Sequence, residues 1–97
     1  MIVSFGNPGT EDLYHGRRTR RARRFPADIV ASALRKLELI NAAHVLSDLK
    51  APPANRLEAL KGTLAGYHSI RVNDQWRLVF RWSEGNAHEV ELTDYHD

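Results

Sequence analysis

The chain of 97 residues contains no cysteine. This absence excludes a disulfide framework, a thiolate zinc site and a cysteine nucleophile. The sequence also lacks an apolar run of about 18 residues, so no transmembrane helix is predicted. Residues 1–5 have neither a basic region nor a long apolar core, so no signal peptide is predicted. These absences fit a cytoplasmic protein. A length of 97 residues leaves room for one small core and not for a second domain.

Motifs of the common enzyme classes are missing too. The sequence has no Walker loop, no GxGxxG fingerprint and no GxSxG nucleophile elbow. The histidines before the C-terminal tail show no HxxxH-type spacing: they are His15, His44, His68 and His88. With no cysteine to help them, a metal site is not predicted.

The composition is that of an ordinary globular domain, with 42% hydrophobic and 27% charged residues. Its charge is unevenly spread. Residues 1–50 carry nine basic and five acidic side chains, whereas residues 51–97 carry five and seven. The basic half contains a block of six arginines: Arg17, Arg18, Arg20, Arg21, Arg23 and Arg24.

The arginine block predicts a polyanionic partner such as RNA, DNA or an acidic protein. Ala22 is its only apolar residue, so the block has no face to bury and residues 16–25 are expected to form a mobile loop. The alternative interpretation is a solvated arm without a partner.

Hydrophobic periodicity predicts an α+β fold, with an N-terminal strand and helices on one face of a mainly antiparallel twisted sheet. Thr10 is the expected N-cap of a short helix ending at His15. Pro26 opens a longer helix that continues to Leu46, with its apolar residues in one stripe. The expected strands cover residues 1–5, 57–60, 67–72, 76–82 and 87–93.

The alternation in the central hairpin predicts its register. A three-residue loop over residues 73–75 places Val72 opposite Trp76 on the core face, whereas a two-residue loop breaks the apolar pattern. Arg71 and Arg77 then face each other on the opposite side of the sheet.

Like charges directly opposite each other are destabilising. An anion bound between Arg71 and Arg77 is therefore expected to offset the repulsion between the two arginines. In the alternative interpretation both arginines pair with Glu89 and Glu91 on the next strand.

Three functional groups lie together near the C-terminus: Asp94, Tyr95 and His96. Histidine exchanges protons near neutral pH, an aspartate can orient it, and tyrosine can donate a proton or stack on a base. A polar terminal tail without function has the same appearance.

The order and spacing of several segments resemble HigB-type toxins of the RelE superfamily over essentially the whole chain. These segments are LYHGRR at 13–18, LINAA at 39–43, RLEALKG at 56–62, GYHSIRVNDQWRLVF at 66–80 and VELTDYH at 90–96. The resemblance implies a single toxin domain over residues 1–97 with a microbial-ribonuclease-like fold.

The resemblance also implies a function and partners. Such toxins belong to type II toxin–antitoxin pairs, cut mRNA in the ribosomal A site and halt translation without a metal or cofactor. A HigA-type helix-turn-helix antitoxin neutralises them, and operator DNA is contacted only through that antitoxin. No membrane partner is implied.

Five residues match the family's active site: Asp94, Tyr95, His96, Lys61 and Arg77. Arginine and lysine side chains, with Arg71 added, suit the charge that develops on phosphate oxygens during RNA cleavage. Glu58 departs from the pattern, because it stands where one type of relative has an active-site histidine. Three roles are open for Glu58: it serves as a base, it only orients Lys61, or it has no part in the reaction.

Two alternatives to an mRNA-cleaving toxin remain. The first is a non-catalytic RNA-binding regulator that uses the arginine block and the sheet face. The second is a degenerate toxin that folds and binds its antitoxin but is inactive because of Glu58.

Overall fold

The computed structural model describes residues 1–94 and confirms the α+β class. Two helices, α1 (Pro8–Tyr14) and α2 (Val30–Ala42), pack on a four-stranded antiparallel sheet of order β1-β2-β3-β4. Its strands are β1 (Glu58–Ala59), β2 (Tyr67–Arg71), β3 (Trp76–Ser83) and β4 (Asn86–Asp94). No helix within residues 1–94 is long and apolar enough to cross a membrane.

The N-terminal segment differs from the expected strand. Residues 1–5 make only two single parallel bridges to β4, from Ile2 to Ala87 and from Phe5 to Val90. The backbone between them runs beside β4, and Ser4 Oγ accepts a 2.8 Å hydrogen bond from the Glu89 amide. A β-branched run therefore indicated proximity to the sheet but not a full strand ladder.

Asn7, and not Thr10, caps α1. Its side-chain oxygen accepts hydrogen bonds from both the backbone amide and the hydroxyl of Thr10, each at 2.8 Å. Thr10 is fully buried, and its hydroxyl oxygen accepts from the Leu92 amide at 2.9 Å. The prediction of a Thr10 cap is wrong because this hydroxyl ties α1 to the sheet.

Helix α2 is shorter than predicted. A 3-10 turn at Ala27–Ile29 follows Pro26, and the α-helix itself runs over Val30–Ala42. The predicted apolar stripe is confirmed, since Ala33, Leu37 and Ile40 are fully buried. The chain turns extended at Ala43, so the expected continuation to Leu46 is wrong.

The predicted hairpin register is confirmed. Arg71 pairs with Arg77, and the Val72 amide donates to the Trp76 carbonyl at 2.9 Å across the three-residue loop 73–75. The core face of the two strands is buried, with Ile70, Leu78 and Phe80 at 0% exposure. The opposite face is therefore left for Arg71 and Arg77.

The predicted unbroken alternation of residues 87–93 is wrong, because a bulge interrupts β4. Val79 pairs with Glu91, whereas Arg81 pairs with His88. Glu89 lies in the bulge with φ +55°. The extra residue lets Ala87 and Val90 both reach the core although they are three positions apart.

Candidate functional site

A buried arginine forms the centre of the candidate site. Arg77 on β3 is only 8% exposed. Its Nε donates to Ser69 Oγ at 2.8 Å, and its Nη2 donates to the Arg56 carbonyl at 2.7 Å. Ser69 lies two residues from Arg71 on the same face of β2, and its small side chain leaves room for the guanidinium. Arg77 is therefore held as a preorganised donor.

Glu58 is the carboxylate beside this arginine. Strand β1 pairs Glu58 with Ser69, which places the carboxylate on the Arg77 face of the sheet. Glu58 Oε1 lies 3.7 Å from Arg77 Nη2, and the Glu58 side chain is 52% exposed. The ion pair is therefore open to solvent on the Glu58 side, where an incoming anion can compete with the carboxylate.

Arg71 flanks Arg77 at the mouth of the cleft and forms an ion pair with Asp74. The intervening turn is organised by Asn73, whose side-chain oxygen accepts from the amides of Gln75 and Trp76 at 2.8 and 2.7 Å. The resulting cleft has a volume of about 280 Å³. Its lining residues are Arg56, Glu58, Arg71, Asn73, Asp74 and Arg77.

The alternative expectation for the two arginines is wrong with respect to Glu89. Within residues 1–94, Arg71 pairs with Asp74 and Arg77 pairs with Glu58. The bulge instead directs Glu89 towards the other end of the sheet, where its Oε2 accepts from Arg81 and Tyr67 at 3.1 Å each. Hydrogen bonds from Arg81 and Tyr67 hold the pKa of Glu89 below its usual value.

The structure brings Glu58, Arg71 and Arg77 together but separates other predicted site residues. Lys61 is exposed beyond the end of β1 and does not line the cleft. Asp94 pairs with Trp76 and so belongs to the opposite face from Arg77, although Gln75 Nε2 donates to Asp94 Oδ2 at 2.9 Å. The predicted residues Tyr95 and His96 lie outside the described residues.

The arginine block has an anchor that composition did not reveal. Asp12 on α1 is buried, and its carboxylate accepts from Thr19 at 2.7 Å and pairs with Arg17 and Arg21 at 3.2 and 2.9 Å. The Thr19 hydroxyl and then the two guanidinium groups hold the pKa of Asp12 below its usual value, against an opposing effect of burial. Mobility of residues 16–25 stays a prediction.

The remaining arginines of the block are exposed: they are Arg18, Arg20, Arg23 and Arg24. Ala22 is buried, and Phe25 packs edge-on against Trp76 with the ring centroids 5.7 Å apart. The block therefore lies beside the helices, while its last residues approach the end of the sheet that carries the cleft.

Two contributors to the cleft escaped sequence reasoning. Neither Ser69 nor the Arg56 carbonyl was predicted to take part in the site, and a backbone carbonyl gives no signal in a sequence. Arg56 adopts φ +47°, which is uncommon for a residue with a side chain.

Within residues 1–94, no cluster of three or more histidine, aspartate or glutamate side chains has an arrangement that can hold a metal.

Solved structures of other proteins share this fold. The chain aligns over 100% of its length with 99% of a chain in the YoeB–YefM toxin–antitoxin complex from Staphylococcus aureus, with a TM-score of 0.62 and 20% identity. It also aligns over 98% of its length with 94% of YafQ from E. coli, with a TM-score of 0.57 and 14% identity. These similarities show that the chain has the same fold as these two proteins.

Sequence comparison narrows this class to one family. The family model described as "RelE-like toxin of type II toxin-antitoxin system HigB" matches residues 4–96, and the chain belongs to this HigB-like toxin family. Toxin HigB-1 of Vibrio cholerae is 44% identical over 87 residues, 90% of each chain. Endoribonuclease HigB of Proteus vulgaris is 32% identical over 96 residues, covering 99% of this chain and 100% of the relative.

Proposed function

We propose that this toxin is an endoribonuclease that cuts mRNA on the ribosome and thereby halts translation in the cytoplasm. The observation that carries the proposal is the preorganised Arg77 guanidinium at an open ion pair with Glu58, with Arg71 beside it. The Proteus vulgaris relative bears the name of an endoribonuclease, which supports the reaction class.

The cleft suits phosphodiester cleavage by an internal nucleophile. Attack of a ribose 2′-oxygen on phosphorus places negative charge on the non-bridging oxygens. In the proposal, Arg77 and Arg71 donate to these oxygens, and Lys61 adds a positive charge from beyond β1. Fixed cationic donors stabilise this charge without a metal ion.

The proton transfers are assigned to the end of β4. In the proposal His96 exchanges protons with the 2′-hydroxyl or the leaving oxygen, Tyr95 stacks on a base or donates, and Asp94 orients His96. Glu58 is the second base candidate because its exposed carboxylate lies in the same cleft as Arg77. A site without a strong base is sufficient when the ribosome holds the mRNA in a reactive geometry.

The proposed regulation follows the type II system to which the family belongs. A HigA-type helix-turn-helix antitoxin binds this toxin and neutralises it, and operator DNA is contacted only through that antitoxin. The Staphylococcus aureus relative was solved as a YoeB–YefM complex, which supports an antitoxin partner for this fold.

The test uses purified toxin and mRNA, presented either free or on programmed ribosomes with one codon in the A site. We expect cuts near the A site only in the ribosomal sample. The same cuts are expected when the toxin is first stripped of metal with a chelator and then added to ribosomes that retain their magnesium. The control is Arg81→Ala, which removes a cation from the same sheet face outside the cleft.

Three outcomes overturn parts of the proposal. Equal cleavage of free mRNA removes ribosome dependence, and binding without any cleavage favours the non-catalytic regulator. A folded protein that binds its antitoxin but neither cuts nor binds RNA indicates a degenerate toxin.

A further inference from the structure

Helix α2 carries a lysine that contacts the segment preceding β1. Ser32 contacts the end of β2, because its hydroxyl donates to the Val72 carbonyl at 3.5 Å. Lys36 lies one turn later on the same side of α2. Its ammonium donates to the side-chain oxygen of Asn55. Lys36 is therefore next to the segment that supports the cleft.

Asn55 is a rigid support for Lys36. It is fully buried, and its Nδ2 lies 3.2 Å from the carbonyl oxygens of both Leu49 and Ala51. The next residue, Arg56, provides the carbonyl that accepts from Arg77. Two consecutive residues thus hold two cations, Lys36 through a side chain and Arg77 through the backbone.

Two positive charges act on Lys36. Burial lowers the pKa of the Lys36 ammonium below its ordinary value, and the charges of Arg35 and Arg71 lower it further. Among residues 1–94, no carboxylate forms an ion pair with Lys36 or Arg35. A partly desolvated ammonium beside like charges is unfavourable, and a bound anion reverses this cost.

We propose that Lys36, together with Arg35 and Arg71, binds a second phosphate of the RNA, next to the phosphate held at Arg77. This subsite continues the RNA path from the sheet face over the edge of the sheet onto α2. The proposal rests on the proposed function, because it takes the cleft to be the place where RNA binds. Arg71 contributes to both phosphates, because it lines the cleft and its charge also acts on Lys36.

A purely structural role for Lys36 makes a different prediction. If the ammonium serves only to hold Asn55, its loss lowers thermal stability without changing how RNA binding depends on salt. A phosphate contact instead changes the salt dependence, because each neutralised phosphate releases counterions. The two roles are therefore separable by one measurement.

The experiment measures binding of a short 2′-O-methyl RNA, which cannot be cleaved, at salt concentrations from 50 to 200 mM. Lys36→Gln keeps a donor for Asn55 but removes the charge, and Lys36→Arg keeps the charge. The matched control is Lys50→Gln, an exposed lysine on the opposite face of β1 and β2.

For Lys36→Gln we expect the slope of log K against log salt to become shallower by about 0.7. The parent then loses roughly 2.5-fold more affinity than this variant across that range. Lys36→Arg and Lys50→Gln are expected to keep the parental slope. If Lys36→Gln fails to fold, the exposed Arg35→Gln variant tests the same subsite.

An unchanged slope in folded Lys36→Gln overturns the subsite, as does absence of binding by the parent protein. A parent that shows the Lys36-dependent slope but never cleaves mRNA overturns the proposed function and leaves the subsite standing. A parent that cleaves mRNA while Lys36→Gln keeps the parental slope overturns the subsite alone.

Discussion

Replacing Arg77 with lysine alters the geometry of the cleft while keeping its charge. The guanidinium reaches Ser69 Oγ and the Arg56 carbonyl at 2.8 and 2.7 Å, a pair that one ammonium cannot satisfy in the same arrangement. One unpaired buried acceptor costs about 1–3 kcal/mol. A small domain has about 5–15 kcal/mol of stability, so Arg77→Lys is expected to fold.

The expected effect on cleavage is much larger than the effect on folding. Loss of one preorganised donor to the developing charge lowers the rate about 10²- to 10³-fold, so Arg77→Lys is expected to cut mRNA about 100-fold more slowly. The comparison is Arg81→Ala, which breaks a half-exposed pair with Glu89 that adds little to stability because solvent screens it.

The assay is single-turnover cleavage on programmed ribosomes, with thermal melting of each variant to verify folding. Equal cleavage rates for folded Arg77→Lys and folded Arg81→Ala refute the assignment of Arg77 as the hydrogen-bond donor to the phosphate. A fall in melting temperature that accounts for the whole rate loss assigns Arg77 to stability only.

The remaining predictions concern the C-terminus, the arginine block and its anchor. His96→Ala is expected to abolish or greatly weaken growth arrest in cells, and near-normal toxicity from a folded variant would move the proton transfer to Glu58. Four arginines that do not contact Asp12 are changed together to glutamine: Arg18, Arg20, Arg23 and Arg24. This variant is expected to lower the salt slope of ribosome binding by about 0.7–0.9 per lost phosphate contact, and an unchanged slope excludes the block from the RNA interface. Because the pKa of Asp12 is lowered, the stability that its carboxylate contributes is fully present above the ordinary value of 3.8 and is lost as the pH falls through the folded pKa. Asp12→Asn is therefore expected to flatten the fall of the melting temperature at acid pH. A fall identical to that of the parent would contradict the role of Asp12.

Burial of one face made part of the fold predictable. The register of the central hairpin followed from Val72 and Trp76, because a slip of one residue exposes the whole apolar set. The same reasoning identified the buried stripe of α2 and placed Arg71 and Arg77 side by side. The periodicity of neighbouring residues predicts each of these features.

Features that depend on distant partners could not be predicted in this way. Arg77 contacts the segment of Arg56 and Glu58, and nothing near Arg77 in the sequence indicates these contacts. Asp12 interacts with Arg17 and Arg21 across a turn, whereas helix-terminus rules assign it only a dipole role. The bulge in β4 could not be predicted either, because one extra residue interrupts an alternation that is otherwise regular.

The central claim is that this toxin cuts mRNA, and the most direct measurement maps new mRNA 5′ ends in cells. The toxin is induced without its antitoxin, in parallel with Arg77→Lys expressed at the same level. The account predicts growth arrest and new 5′ ends within translated regions for the parent, with both strongly reduced for the variant. A well-expressed, folded parent that causes no growth arrest and produces no new 5′ ends contradicts the account.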